Sequence, residues 1–479
     1  MESSAPKLIL IIYIIYLAVL LTVGFLTRRR TKTVADYFLG GRKIGPWLTA
    51  VSSTASSESG WVVLGATGMV YANGLSAWWF MPGCLAGYLV NWLFLAGKMR
   101  QHSEDNQSIT VPDYISYSFG DRLNTLRSVA VLIIFFCMLG YVAAQFTASG
   151  KAFEAIFGWN YATGVLLGAV IIVIYTLMGG YFAVVWTDLI QGILMAFGLV
   201  VMPIVAFFAV GGADVVLNAA PNPEFFTWAG GKTGSALFGL IVGLLGIGLG
   251  YPGQPHVITR YMGAASDEVI RRGRIISIVW GVLVFGGAVL LGLVGRALIP
   301  NLEDSEHLFP RAALLLLHPI VAGIMLSAIL SAIMSTASSQ LLVAASSVVK
   351  DLYESLFGKD PGEKKLVNLS RIAVLLLGTL AILLALAEVR VIFWFVLFAW
   401  SGMGAAFGPI MLLSVSKFKV NFWGALSCMI TGFGVTVIWK LTGLSDSVIY
   451  ELVPAFVLAF LAAWGVTVVT RGGMLNDTN

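Results

Sequence analysis

The chain has 479 residues, 58% of them hydrophobic and 11% charged, with a formal net charge of +5 and a mean hydropathy of +0.90. Soluble domains carry about 25% charged residues, so a sizeable soluble or catalytic domain is excluded, and the small positive balance is loop charge rather than a nucleic-acid footprint. Cys84, Cys137 and Cys428 all fall in predicted spans and suggest neither disulfides nor a metal cluster.

Apolar runs of about 20 residues, long enough to cross a bilayer, recur from end to end. They predict thirteen helical spans at 8–27, 44–72, 76–97, 127–157, 161–180, 184–210, 235–258, 274–299, 317–345, 369–388, 391–415, 421–441 and 449–470. The runs are continuous rather than alternating, which excludes a β-barrel. Residues 8–27 are too long and apolar for a signal peptide, and no small-residue cleavage site follows them. With the N-terminus outside, only Lys7, Lys151, Lys232, Arg296, Arg311, Arg390 and Lys440 of the 29 basic residues face outward. That asymmetry is a positive-inside signal and places the C-terminus in the cytoplasm. The inner loops near 98–127 and 346–368 carry both charge signs and read as ordered connections. The outer stretch 211–234, with Pro221 and Pro223, reads as irregular.

The second span contains Ser52-Ser-Thr-Ala-Ser-Ser-Glu-Ser-Gly60, in which seven of nine side chains are polar and Glu58 is ionisable. Polar groups at mid-membrane depth are costly and mark pathways or binding sites. A weakened helix there frees backbone carbonyls that can hold an ion. The seventh span contains Gly243-Leu-Leu-Gly-Ile-Gly-Leu-Gly-Tyr-Pro-Gly-Gln-Pro255, whose five glycines and two prolines oppose a continuous helix. The plainer reading is that these glycines only allow close helix packing. Interruptions five spans apart suit an inverted repeat of five plus five helices, with the binding site between the breaks. No linker divides the chain, so 1–479 reads as one transmembrane domain. It holds an extra helix at 8–27, a first repeat at 44–210, a second at 235–415, and two C-terminal helices at 421–470.

In the ninth span, Ser331, Ser335 and Ser338 stack on one helical face with Ala332, Thr336 and Ser339 beside them. Five hydroxyls within 331–339 form an oxygen-rich strip suited to a small hard cation. Isolated hydroxyls more often bond the carbonyl one turn back. Asp188, at the inner end of the sixth span, reads either as a helix N-terminal charge or as an ion ligand.

These segments carry a family likeness. The chain resembles the sodium/solute symporter family, and within it the bacterial sodium/proline symporters. The likeness covers about 40–470 and is strong at Asp36-Tyr-Phe-Leu-Gly-Gly-Arg42, Gly179-Gly180, Trp186-Thr-Asp188 with Gln191, Gly250-Tyr-Pro-Gly-Gln-Pro-His256, Ser327-Ala-Ile-Leu330, Met334-Ser-Thr336, Gln340-Leu-Leu-Val343 and Ala399-Trp-Ser-Gly-Met-Gly-Ala-Ala-Phe-Gly-Pro409. The resemblance implies an all-α polytopic membrane protein with the leucine-transporter fold and thirteen helices. It implies a first sodium held by Ala55, Glu58 (through its carbonyl), Ala332, Ser335 and Thr336. It implies a second sodium, bound by some members, at Asp188, Ser335, Ser338 and Ser339. Arg42 matches a functional arginine at the inner mouth, or is a topology anchor. The substrate positions are Ser59, Gly60, Trp61, Tyr141 and Tyr251, with Pro255 shaping the break. Gln145, one turn beyond Tyr141, adds a hydrogen-bonding group. Ser57 and Ile247 also line the expected site, and both depart from the proline symporters, which carry aspartate and tryptophan there. Glu58 stands where those proteins have an apolar residue.

The resulting expectation is secondary active uptake, by alternating access, of a small organic solute such as proline, another amino acid, or a small zwitterion or carboxylate. It is driven by one or two Na+ ions, across a bacterial plasma membrane with the N-terminus periplasmic. The alternative is proton coupling through the side chain of Glu58. An enzyme or sensor is disfavoured, because His102, His256, His307 and His318 are scattered in sequence and nucleotide motifs are lacking. A channel suits paired broken helices less well. The expected partners are solute, sodium and lipid, without nucleic acid or an obligatory protein.

Overall fold

The structure, a computed structural model, describes residues 5–27, 33–353, 362–387 and 392–476. Arg28, Arg29, Arg30, Lys32, Lys359 and Arg390, all used in the topology argument, lie outside the described residues. So do Val391, the expected start of the eleventh span, and part of the 346–368 loop.

The described residues form helices. In chain order these are α1 (Ala5–Thr27), α2 (Val34–Leu39), α3 (Pro46–Gly60), α4 (Thr67–Asn73), α5 (Phe80–Val90), α6 (Ala96–Asp105), α7 (Val111–Ser118), α8 (Thr125–Phe157), α9 (Tyr161–Ala209) and α10 (Ala213–Asn218). The second half holds α11 (Gly234–Gly246), α12 (Pro255–Met262), α13 (Asp267–Leu298), α14 (Leu308–Leu316) and α15 (Pro319–Ser346). It ends with α16 (Glu363–Leu386), α17 (Ile392–Ser414), α18 (Phe422–Leu441), α19 (Leu444–Ser447) and α20 (Leu452–Asn476).

Twelve helical stretches among the described residues are long and apolar enough to cross a membrane, and one of them, Pro46–Asp105, has 60 residues. That stretch turns at Gly74 (φ 67°, ψ −151°), so it supplies two crossings and accounts for the thirteen expected. The 49-residue α9 is likewise two spans, bent at Gly180 (φ 57°, ψ −149°). Only glycine adopts that conformation without strain, and a Cβ at Gly180 would sit 2.7 Å from the Tyr37 ring. Helix ends are set by local chemistry. Asn160 caps α9 by accepting from the Ala162 amide at 2.8 Å, and Ser266 caps α13 with Asp267 and Glu268 in its first turn.

Helix α15 is the axis of the protein. Every residue from Met325 to Ser346 is buried, and α15 packs against α1, α3, α8, α9 and α16. Leu375, Leu376, Leu380 and Leu383 on α16 stay exposed, as a lipid-facing surface requires. The stretch 211–234, expected to be irregular, holds the short α10 before a series of turns, and the 98–127 loop folds into the end of α6 and α7.

The chain breaks where the sequence suggested. In α3, Ser59 leaves the helical region (φ 32°, ψ −171°), and Trp61–Ala66 continues as a wider π-helical turn. After α11, Ile247–Gly253 winds as a tight 3-10 helix. Gln254 is then extended (φ −94°, ψ 105°), and Pro255 starts α12. The packing reading of the glycines also holds. A Cβ at Gly248 would lie 1.9 Å from the Gly83 carbonyl oxygen, and one at Gly250 would lie 1.9 Å from Nε1 of Trp400. The glycines bring α5 and α17 against the break, while the interruption itself falls at Gln254. Gly250→Ala should therefore destabilise the protein by about 1–3 kcal/mol through overpacking, which thermal unfolding in detergent will read. An unchanged transition would mean that the Trp400 ring has room to move.

Candidate functional site

The two breaks face each other across the buried interior. Ala55, Ser57, Glu58, Ser59, Gly60 and Trp61 come from α3 and its continuation, and Ile247, Tyr251 and Pro255 from the second break. Tyr141 and Gln145 come from α8, Asp188 from α9, and Ala332, Ser335, Thr336, Ser338 and Ser339 from α15. All are buried.

The hydroxyl strip reaches across to the first break. Ser335 Oγ donates to the Ala55 carbonyl at 3.0 Å and to the Ala332 carbonyl at 3.2 Å. Thr336 Oγ1 donates to the Ser56 carbonyl at 2.9 Å. Four of the five expected first-sodium residues therefore lie at one α3–α15 contact. The fifth, the Glu58 carbonyl, accepts from the Trp61 amide. The donor set consists of carbonyl and hydroxyl oxygens, the ligand class of a hard cation. Ser331 Oγ points elsewhere and donates to Tyr16 OH at 2.8 Å. Ser338 makes the local bond of an isolated helical hydroxyl, to the Ser335 carbonyl at 3.2 Å.

The side chain of Glu58 turns toward the second break. Its Oε1 accepts from Ser57 Oγ at 2.8 Å, Tyr88 OH at 2.6 Å and Tyr251 OH at 2.7 Å. Oε2 is buried without a hydrogen-bond partner. The Tyr251 ring lies edge-on to both Tyr88 and Trp400, with centroids 4.9 and 4.8 Å away. On the other side of α3, the Gly60 amide donates to Gln145 Oε1 at 3.1 Å. Ser59 Oγ lies 3.5 Å from Tyr141 OH, and the Trp61 amide donates to Ser59 Oγ at 3.2 Å. Hydroxyls, a helix-break amide and aromatic rings thus gather along the first break, the kinds of group that meet a zwitterion. Two groups had not been singled out. Tyr88 gives no signal in an apolar span, and both ring nitrogens of His256 are buried without partners.

Asp188 lies two turns beyond the Gly180 bend, so it is not a helix N-terminal charge. Its Oδ2 accepts from Ser52 Oγ at 2.6 Å and pairs with Nη2 of Arg260 at 3.2 Å. Arg260 was expected as an inner-loop charge. The structure buries it within α12, with 1% of its side chain exposed, because α12 runs on to Met262, four residues past the expected end of that span.

Arg42 has φ 55° and ties the α2 end of the chain to α6 and α12. Its guanidinium donates to the carbonyls of Met262 at 2.9 Å, Ser103 at 2.7 Å and Ser108 at 2.7 Å, and to Ser103 Oγ at 3.0 Å. A planar fork satisfies this set and a point charge does not. Arg42→Lys should therefore lose uptake nearly as fully as Arg42→Ala. Full rescue by lysine would make Arg42 a simple topology anchor.

A helical membrane protein whose two broken helices bracket a buried oxygen-lined site is built as a secondary transporter. The comparisons agree. The model of the sodium:solute symporter family matches residues 37–432. The chain is 40% identical over 459 residues to the high-affinity proline transporter PutP of Bacillus subtilis, covering 94% of this chain and 96% of that one. It is 38% identical to the sodium/proline symporter of Escherichia coli, over 95% of this chain and 92% of that one. Its fold matches that of a Na+-coupled sialic acid symporter in a substrate-bound outward-open state, with a TM-score of 0.78 and 21% identity over 95% of this chain and 96% of that one. The chain belongs to the sodium:solute symporter family and has the leucine-transporter fold.

Proposed function

We propose that this protein is a sodium-driven symporter that takes up proline or a closely related small zwitterion. The observation that carries the reading is the convergence of Ala55, Ser56, Ala332, Ser335 and Thr336 oxygens where α3 breaks against α15. Sodium would be held by the carbonyls of Ala55, Glu58 and Ala332 and the hydroxyls of Ser335 and Thr336. The ion would join the two repeats and fix the broken end of α3, so that Ser59, Gly60, Trp61, Tyr141, Gln145 and Tyr251 present a complete solute site. Proline as cargo is supported by the names of the relatives above. Ser57 and Ile247 stand where the proline symporters carry aspartate and tryptophan, so the exact cargo is left to the competition experiment below. The periplasmic N-terminus rests on the distribution of basic residues.

Proton coupling through Glu58 has no support in this arrangement. Three hydroxyl donors converge on one of its oxygens, an arrangement that suits a fixed carboxylate acceptor, and the family is one of sodium symporters. Uptake by Glu58→Gln is therefore expected to keep the wild-type pH profile, whatever its level. A profile that flattens in the variant would restore proton coupling.

The deciding experiment is uptake of radiolabelled proline by proteoliposomes under an inward sodium gradient. Accumulation should collapse when choline or potassium replaces sodium. Equal accumulation in all three salts would end the sodium reading. Competition by a panel of amino acids, betaines and small carboxylates would then define the cargo.

A further inference from the structure

The family likeness places a second sodium at Asp188, Ser335, Ser338 and Ser339, but the structure fills that position with a side chain. The Arg260 guanidinium reaches Asp188 Oδ2 at 3.2 Å with Nη2, and the same nitrogen bonds Ser339 Oγ. Its Nε donates to Ser52 Oγ at 3.0 Å, and Nη1 donates to the His256 carbonyl at 2.6 Å. The Tyr181 ring closes one face, its centroid 5.4 Å from the guanidinium carbon. Both Asp188 and Arg260 are sealed from solvent.

The residues therefore do not fit a second sodium in this arrangement. Asp188 supplies the set's only formal negative charge, and the guanidinium already neutralises it. Ser339 bonds the guanidinium, and Ser338 bonds the Ser335 carbonyl. Asp188 Oδ1 is the one oxygen of the set's side chains left without a hydrogen-bond partner. A hard cation gathers several oxygens, and here it would also face a fixed positive charge at close range in a poorly screened interior.

We infer that Arg260 is this protein's tethered counter-cation, a guanidinium standing where a second sodium would otherwise bind, so that the chain binds a single sodium. The inference rests on the sodium reading above and sets its ion count. The arrangement also joins α3, α9, α12 and α15 at the inner halves of both broken helices, where a diffusible ion would have to enter and leave in every cycle.

The test is equilibrium binding of radiolabelled sodium to the purified full-length protein, counted per chain. The wild type should bind one ion. Arg260→Met, which frees Asp188 and Ser339, should bind two, with a Hill coefficient above one. Two ions on the wild type would overturn the inference and leave sodium symport intact. No binding at all would overturn the sodium reading, and this inference with it. Where Arg260→Met fails to fold, the charge-balanced pair Asp188→Asn with Arg260→Met takes its place. It should keep the single ion of the wild type. Loss of that ion would mean that sodium sits at Asp188, against the inference.

Discussion

Thr336→Val should raise the sodium concentration for half-maximal uptake by roughly 10- to 100-fold. A hydrogen-bonding contact to a charged group contributes about 1.5–3 kcal/mol, and each 1.4 kcal/mol is about a factor of ten. The substitution keeps side-chain volume and removes the oxygen that now bonds the Ser56 carbonyl at 2.9 Å. Ser335→Ala should act in the same direction, because its hydroxyl meets both Ala55 and Ala332. Ser331→Ala is the control on the same helix. Its hydroxyl bonds Tyr16 instead, so the sodium requirement should stay at the wild-type value. Sodium-dependent uptake titrated in proteoliposomes separates these outcomes. An unchanged requirement in Thr336→Val would remove the α3–α15 contact as the ion site.

Asp188→Ala should destabilise the protein by about 3–5 kcal/mol, the usual cost of leaving a buried charge without its partner. The stranded group is Arg260, which has 1% of its side chain exposed. The paired variant Asp188→Asn with Arg260→Met should recover most of that loss, since replacing both members removes the charge together with its desolvation cost. Thermal unfolding in detergent without sodium measures both, free of any contribution from bound ion. If Asp188→Ala unfolds like the wild type, the guanidinium is not held by that carboxylate.

Much of the site could be read from local composition. A polar run inside an apolar span and a cluster of glycines and prolines in another marked both breaks, and the chain departs from helical geometry at Ser59 and Gln254 within those segments. The hydroxyl strip at 331–339 was visible because one helix face carries it. Its division of labour was not, since Ser331, Ser335, Thr336 and Ser338 look alike in sequence yet bond four different partners. Tyr88 was invisible for a related reason. An aromatic residue in an apolar span reads as packing until the carboxylate it meets, 30 positions away, is brought alongside.

By itself the sequence determined that this is a helical membrane transporter with paired helix breaks, because bilayer thickness fixes span length and helix-breaking residues act locally. The tertiary structure alone decided the partners of its buried charges. Arg260 counts as an inner-loop basic residue along the chain, and its environment comes from Ser52, Asp188, Tyr181 and Ser339 on other helices. A charge's position relative to a membrane follows from the runs around it, whereas its partner depends on contacts between helices far apart in the chain.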